Sequence, residues 1–484
     1  MNWEAVIGLE VHAQLLTETK MFCGCGVRFG AEPNTQTCPV CLGLPGSLPV
    51  ANRKAVELGV RLALAVNAEV RETSLFARKH YFYPDLPKGY QISQYEEPLC
   101  EHGILSISAE DGSRRDVRIR RIHLEEDAGK LVHDESYVGE NDSLVDLNRC
   151  GTPLAEIVTE PDLRSPREAA LFLTALRRLV RWLGVCDGNM EEGSLRCDAN
   201  VSLRPAGSDG LGVKTEIKNM NSIRGVERAL AFEIARQTRT LTAGGRIRQE
   251  TLLWDEARGE ASAMRGKEEA HDYRYFPDPD LPPLIIGRDR IEAIRSGLPE
   301  LPENRKSAWM SEYGLSEYDA SLLSEERLVA DYFEELARLT GEPKASANWV
   351  TGDVLRVLNE KRISVDGLKI RPAGLAKLQS LVAGGKVSRS AAKKIFEETA
   401  MSGEDPESVL ERTGLAQVSD EQALASAVRE AVESHPEQLK RYLAGNAKMA
   451  GFFMGEIMKI TRGRANPQMA GELLNRHLEG LRGK

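Results

Sequence analysis

The chain has 484 residues, of which 41% are hydrophobic and 28% charged, with a formal net charge of −9 and eight cysteines. That length exceeds one hydrophobic core and calls for roughly two to four domains. No apolar run reaches membrane-spanning length and no secretory leader opens the sequence, so a cytoplasmic protein with no membrane partner is expected. In that compartment eight cysteines speak against a disulfide framework and for thiols or metal, and the acidic balance gives no global pull on nucleic acid, so any RNA site is local.

The first element is a strand at residues 6–15. Alternation puts Ile7, Leu9, Val11, Ala13 and Leu15 on one face and Gly8, Glu10, His12 and Gln14 on the other. Next come Cys23-Gly-Cys25, twelve intervening residues, and Cys38-Pro-Val-Cys41. Two close pairs of thiolates suit tetrahedral zinc, and a closed set of four cysteines suits a structural ion. Thiol redox chemistry needs only one pair. The scattered Cys100, Cys150, Cys186 and Cys197 read as buried apolar residues. Residues 78–91 mix cations, aromatics and prolines, as residues 271–280 do again. Aromatics stack on bases and cations hold phosphates. A proline-braced loop packing its rings on the core accounts for that composition equally.

Arg121, His123 and Glu125 then oppose Ile122 and Leu124, and Glu125-Glu126-Asp127 runs toward Gly129. Asp146 and Asn148 oppose Val145 and Leu147. Ser165-Pro166-Arg167-Glu168 combines an N-cap, a first-turn proline and a capping-box acid, and the helix it starts stops at Gly184. Glu191-Glu192-Gly193 precedes a strand at 196–204, in which Arg196, Asp198, Asn200, Ser202 and Arg204 oppose Cys197, Ala199, Val201 and Leu203. Lys214, Glu216 and Lys218 oppose Val213, Thr215 and Ile217. A second helix starts near Ser222 and ends at Gly244-Gly245. Around residues 297–302 the strand alternation gives way to helical spacing, and residues 402–406 read as a second linker. Three domains are expected: residues 1–294, 295–404 and 405–484.

Several strands of one sheet thus share a polar face. A solvated outer face is the ordinary explanation of such a pattern, and each acidic turn taken singly is a solvated turn. Three adjacent acids nevertheless repel one another unless a cation sits near. With Glu10, His12, Glu156, Asp198 and Glu216 added, hard oxygen ligands and an imidazole point to Mg²⁺ or Mn²⁺. No phosphate loop, dinucleotide glycine fingerprint, zinc-protease helix or nucleophile elbow is present. A bound nucleotide must therefore be held by the sheet and by metal. The last stretch, residues 440–484, reverses the chain's charge: nine cations, among them Lys448, Lys459, Arg462 and Arg464, face three glutamates. These four are candidate contacts for RNA phosphates, although basic residues also serve simply to solvate a helical cap.

Seven motifs, ordered along nearly the whole chain, resemble the GatB family of the aspartyl/glutamyl-tRNA amidotransferases. They are residues 6–12 (VIGLEVH), 78–94 (RKHYFYPDLPKGYQISQ), 123–130 (HLEEDAGK), 145–149 (VDLNR), 190–202 (MEEGSLRCDANVS), 272–280 (DYRYFPDPD) and 463–467 (GRANP). The resemblance implies an α+β fold: an antiparallel-sheet catalytic cradle like that of glutamine synthetase and the guanido kinases, then an all-α helical domain and a small helical tail. It implies ATP-dependent phosphorylation of the side-chain carboxylate of Glu on tRNA(Gln) or Asp on tRNA(Asn), followed by amide formation with ammonia. The ammonia comes from an amidase partner that hydrolyses glutamine, and a third protein wraps the pair to complete the heterotrimer. The family's Mg²⁺ ligands fall on His12, Glu125 and Glu156. Glu10, Glu126, Glu192, Asp198 and Glu216 then line the same pocket, as ligands of a second metal or as aids to ammonium deprotonation. Lys79, Lys88, Arg196 and Arg204 are the candidates for phosphate contact. Cys23, Cys25, Cys38 and Cys41 hold structural Zn²⁺; some family members lack these cysteines, in keeping with a structural role. A non-catalytic tRNA-binding scaffold is the competing expectation.

Overall fold

The structure, a computed structural model, describes residues 2–108, 112–132, 142–264, 273–416, 421–461 and 463–482. It divides into two compact units, Met1–Leu301 and Pro302–Lys484.

The first unit is built on nine strands: β1 (Trp3–Gln14), β2 (Glu69–Val70), β3 (Cys100–Ser108), β4 (Arg114–Glu126), β5 (Pro153–Thr159), β6 (Leu195–Pro205), β7 (Thr215–Met220), β8 (Thr251–Asp255) and β9 (Glu260–Ala263). Their order across the sheet is β9-β8-β7-β6-β1-β5-β4-β3-β2. Every neighbouring pair is antiparallel except β7 and β8, which run parallel. Alternation decides the two faces. Ile7, Leu9, Val11, Ala13, Ile122, Ile157, Ala199 and Val201 lie in one buried core. Over it pack α1 (Arg53–Ala65), α2 (Pro166–Trp182) and α3 (Ile223–Thr242). Burial of those side chains removes their apolar area from water and fixes the register, because a slip of one residue would turn every acid inward.

The two helix starts read from the sequence are formed as expected. Ser165 accepts from Glu168 N at 3.1 Å, while Glu168 reaches back to Arg164 N at 2.7 Å. Ser222 accepts from Gly225 N at 2.9 Å. The sheet core extends past residue 294: Leu298 and Leu301 pack against it, and Trp182 Nε1 donates to Glu300 O at 2.9 Å.

The second unit is helical. The helix Pro406–Thr413 packs against Pro372–Ala383 and Arg389–Ser402, burying Val409 and Leu410, so it sits with the helices that precede it. The four helices Glu421–Glu433, Pro436–Leu443, Met449–Ile460 and Pro467–Arg482 share their own core of Leu424, Val428, Phe453, Ile457, Leu474 and Leu478. Among the described residues no helix is long and apolar enough to cross a membrane.

Candidate active site and metal centre

Strand register assembles the site. His12 on β1 lies opposite Glu156 on β5, which lies opposite His123 on β4, while the other neighbour of His12 is Arg196 on β6. Directly opposed residues share a face, so one cross-strand row reads His123, Glu156, His12, Arg196. Glu125, two residues beyond His123, closes the group. His12 Nε2 stands 3.3 Å from Glu156 Oε2 and 3.6 Å from Glu125 Oε1. His123 Nε2 stands 3.1 Å from Glu156 Oε2 and 3.6 Å from Glu125 Oε2. Ser93 Oγ donates to Glu125 Oε2 at 3.1 Å. One ligand atom each from His12, Glu125 and Glu156 falls within a 4.8 Å span. That set, one imidazole and two carboxylates, suits Mg²⁺ or Mn²⁺.

Charge dominates this pocket. Burial alone would push the Glu156 carboxyl up, but the flanking His123 and His12 outweigh it and hold it well below the usual range. Burial disfavours charge on His123, yet Glu156 and Glu125 raise it to about 9. His12 is raised against the same burial by Glu156 and Glu125. Protons on the imidazoles and a divalent cation are alternative sources of the positive charge that two buried carboxylates require.

A second group lies along the same face. Glu10 is opposite Asp198. Burial raises its carboxyl, and the nearby Glu156, Glu216 and Asp198 raise it further. Asn200 Nδ2 donates to Glu10 Oε1 at 3.0 Å. Lys218 Nζ bridges Asp198 and Glu216, the latter at 2.9 Å. On the other flank, Asp127 receives Arg196 at 2.8 Å and Gln14 at 3.0 Å, with Arg149 at 3.6 Å. Lys79 Nζ sits over the Tyr273 ring at 4.9 Å, and burial, which lowers its pKa, is overcome by Tyr275, Glu125 and Glu156.

Glu10, His12, Glu125, Glu156, Asp198 and Glu216 therefore come together, with Arg196 and Lys79 beside them. Four sequence candidates fall elsewhere. Glu126 follows Glu125 on a strand, so alternation turns it to the other side. Its Oε1 accepts from Ile92 N at 2.9 Å and pairs with Lys88. Glu126 and Lys88 line a cavity of about 350 Å³ that also reaches Cys23 and Cys41. Arg204 shares the face of Arg196 but sits eight residues along β6, roughly 27 Å away at strand rise, where it binds Glu4 at 2.7 Å. Glu192 is exposed on a turn and lines a cavity of about 470 Å³ with Phe29, Lys130, Arg149 and Arg196. The sequence reading passed over His123, Lys218, Asn200, Asp127 and Arg149 as site residues. His123 carried a usable signal, being two residues from Glu125 on a strand.

The four thiols form a separate cluster, with all four sulfurs within a 4.8 Å span. Cys38 Sγ and Cys41 Sγ are 4.0 Å apart, against about 3.8 Å for the edge of a tetrahedron with Zn–S bonds of about 2.3 Å. The donor set fits zinc. A hydrogen bond from Cys23, the Cys38 N–H and the Lys20 ammonium hold the Cys41 thiol well below its ordinary range, against its burial. In the helical unit Lys448 and Lys459 are exposed, and Lys459 meets Glu456 at 2.5 Å. Arg464 donates to Thr461 O at 3.3 Å and Gly414 O at 3.4 Å. Arg462 lies outside the described residues, as do His271 and Asp272.

Residues 5–292, which carry both clusters, match the family model described as the GatB/GatE catalytic domain, and residues 331–478 match the one described as the GatB domain. The chain is thus an enzyme component of the GatB/GatE class. Within that class it belongs to the GatB family of amidotransferase subunits. A protein of Thermodesulfovibrio yellowstonii, named as the B subunit of aspartyl/glutamyl-tRNA(Asn/Gln) amidotransferase, is 54% identical over 474 residues, covering 98% of this chain and 99% of the relative. The proteins of that name from Geotalea uraniireducens and Chlorobaculum tepidum are 53% identical over 481 residues and 51% over 479, each covering 99% of this chain and 100% of the relative.

Proposed function

We propose that this chain is the kinase and transamidase component of a tRNA-dependent amidotransferase. It uses ATP to phosphorylate the side-chain carboxylate of Glu on tRNA(Gln), Asp on tRNA(Asn), or both. One carboxylate oxygen attacks the γ-phosphorus and ADP leaves. Ammonia then adds to the acyl carbon, the C–O bond to phosphate breaks, and the amide remains after loss of a proton. The observation that carries this reading is the His12–Glu125–Glu156–His123 cluster on the polar face of the sheet. Bringing a carboxylate onto a triphosphate opposes two anions, and a divalent ion held by His12, Glu125 and Glu156 would screen them.

The chain's own residues do the rest. Arg196, with Arg149 joined to it through Asp127, is favoured as the phosphate contact, and the cavity of about 470 Å³ beyond them is of nucleotide size. Lys79 faces the same carboxylates from the strand Ala77–His80. Glu10, Asp198 and Glu216 concentrate negative charge where ammonium would be drawn. The cradle is of the glutamine synthetase and guanido kinase type, Cys23, Cys25, Cys38 and Cys41 hold structural zinc, and Lys448, Lys459, Arg462 and Arg464 belong to a tRNA grip in a third, C-terminal domain. The heterotrimer also contains the amidase partner, which acts as the glutaminase, and the third protein that wraps the pair, and it works in the cytoplasm.

Supplied with ATP, glutamine and misacylated tRNA, the assembled complex is expected to release ADP in an amount equal to the amide formed, and little with uncharged tRNA. A coupled ADP assay beside amide analysis checks this. Amide formed with no ADP would leave the chain a tRNA-binding scaffold.

A further inference from the structure

Lys20 is fully buried, its side chain with 0% exposure. An ammonium in that position needs anions or several acceptors, because water is excluded. Two acceptors lie at hand: Cys41 Sγ at 3.7 Å and Leu147 O at 3.3 Å. Gly151 leaves room for the side chain. Its backbone lies in the left-handed region at φ +86°, and a Cβ there would come within 3.3 Å of Lys20 Cδ and 3.6 Å of Cys41 Cβ. A neighbouring carboxylate, that of Glu126, also borders Gly151 but is already engaged by Lys88. The remaining anionic partner is the sulfur cluster. Four thiolates around one Zn²⁺ carry two negative charges, and these too are costly to bury uncompensated.

We propose that Lys20 is the charge-compensating partner of the four-thiolate metal site, so that metal retention and burial of this ammonium depend on each other. The inference rests on the zinc reading above. With zinc bound, Lys20 offsets part of the complex's charge and donates to the Cys41 sulfur. Without zinc the thiolates lose the ion that holds them together, and Lys20 is left in the core with little beyond one carbonyl. The neighbouring backbone transmits this coupling: Lys20 N donates to Cys25 O at 2.9 Å, and Met21 N to Gly151 O at 2.8 Å.

The test compares the full chain with Lys20→Met and Lys20→Arg. It measures zinc content, the rate of zinc transfer to a chromogenic chelator at fixed pH, and the melting temperature before and after zinc removal. Wild type should carry one zinc. Lys20→Met should surrender it about 10- to 100-fold faster, the scale of an outer-shell hydrogen bond to a metal ligand. Its melting temperature should fall less on zinc removal than that of wild type, because no ammonium is then orphaned. Lys20→Arg should stay near wild type in both respects. Wild-type transfer rates and an undiminished drop in melting temperature for Lys20→Met would overturn the inference while leaving the zinc site intact. Wild type that purifies folded under reducing conditions with no zinc bound would overturn both. Should Lys20→Met fail to fold where Lys20→Arg folds with zinc, the need for a cation is supported. Failure of both variants would make side-chain shape the requirement and refute it.

Discussion

Glu125→Ala, its isosteric counterpart Glu125→Gln, and His12→Ala are each expected to cut amide formation on misacylated tRNA by on the order of 100- to 1,000-fold, while glutamine hydrolysis by the complex survives at least in part. Glu125 is buried and touches both histidines, and His12 touches both glutamates, so either change removes a proposed metal ligand and unbalances the charge that remains. Charge stabilisation by a bound metal is worth several kcal/mol at a phosphoryl transfer, and about 1.4 kcal/mol is a factor of ten. The drop should be the same in kcat and kcat/KM if the lost interaction acts in the transition state. Amide formation and glutaminase activity measured on the same preparations decide it. Near-normal amide formation by a variant would remove that residue from the chemistry.

The second large effect is expected from the C-terminal helices. A chain ending after residue 416 should show a KM for misacylated tRNA at least about tenfold higher, with a shallower dependence on salt. The cut falls there, not at the linker near residue 404, because the helix Pro406–Thr413 buries Val409 and Leu410 against the helices before it. Cutting at the linker would strip an apolar face and confound binding with folding. The four helices removed have their own core. Lys440 and Lys459 pair with glutamates at 2.9 and 2.5 Å, but surface pairs of this kind contribute little, about 0–1 kcal/mol, and leave the cations free to meet phosphates. Zinc content and glutaminase activity should stay near normal. Equal tRNA affinity across a salt series would place the RNA contacts in the rest of the chain.

What the sequence disclosed, and what it hid, follows from the physics of strands. His12, Glu125 and Glu156 were legible because alternation fixes the face, and motif resemblance supplied the partners that periodicity cannot. Glu126 was misplaced for the same reason Glu125 was found: consecutive residues of a strand face opposite ways, so three adjacent acids do not share one pocket. Arg204 lies on the right face yet at the wrong end of β6, since face carries no information about position along the strand. Lys218 reaches Asp198 beside an irregularity, where the pairing shifts between Cys197 with Met220 and Ala199 with Ile217. No local pattern announces such a shift. The parallel pairing of β7 with β8 joins segments separated by α3, a non-local choice settled by packing. The four-cysteine cluster, by contrast, was readable from spacing because coordination chemistry constrains it directly.

The most direct test follows one oxygen atom. Misacylated tRNA carrying ¹⁸O in the side-chain carboxylate of Glu or Asp is converted by the complete complex with unlabelled ATP and glutamine, and the inorganic phosphate is analysed by mass spectrometry. If this chain phosphorylates the carboxylate, one labelled oxygen leaves with phosphate for each amide formed and the other stays in the amide carbonyl. Phosphate free of ¹⁸O, with normal amide yield, would show that no acyl phosphate forms and would contradict the role assigned to the His12–Glu125–Glu156 cluster.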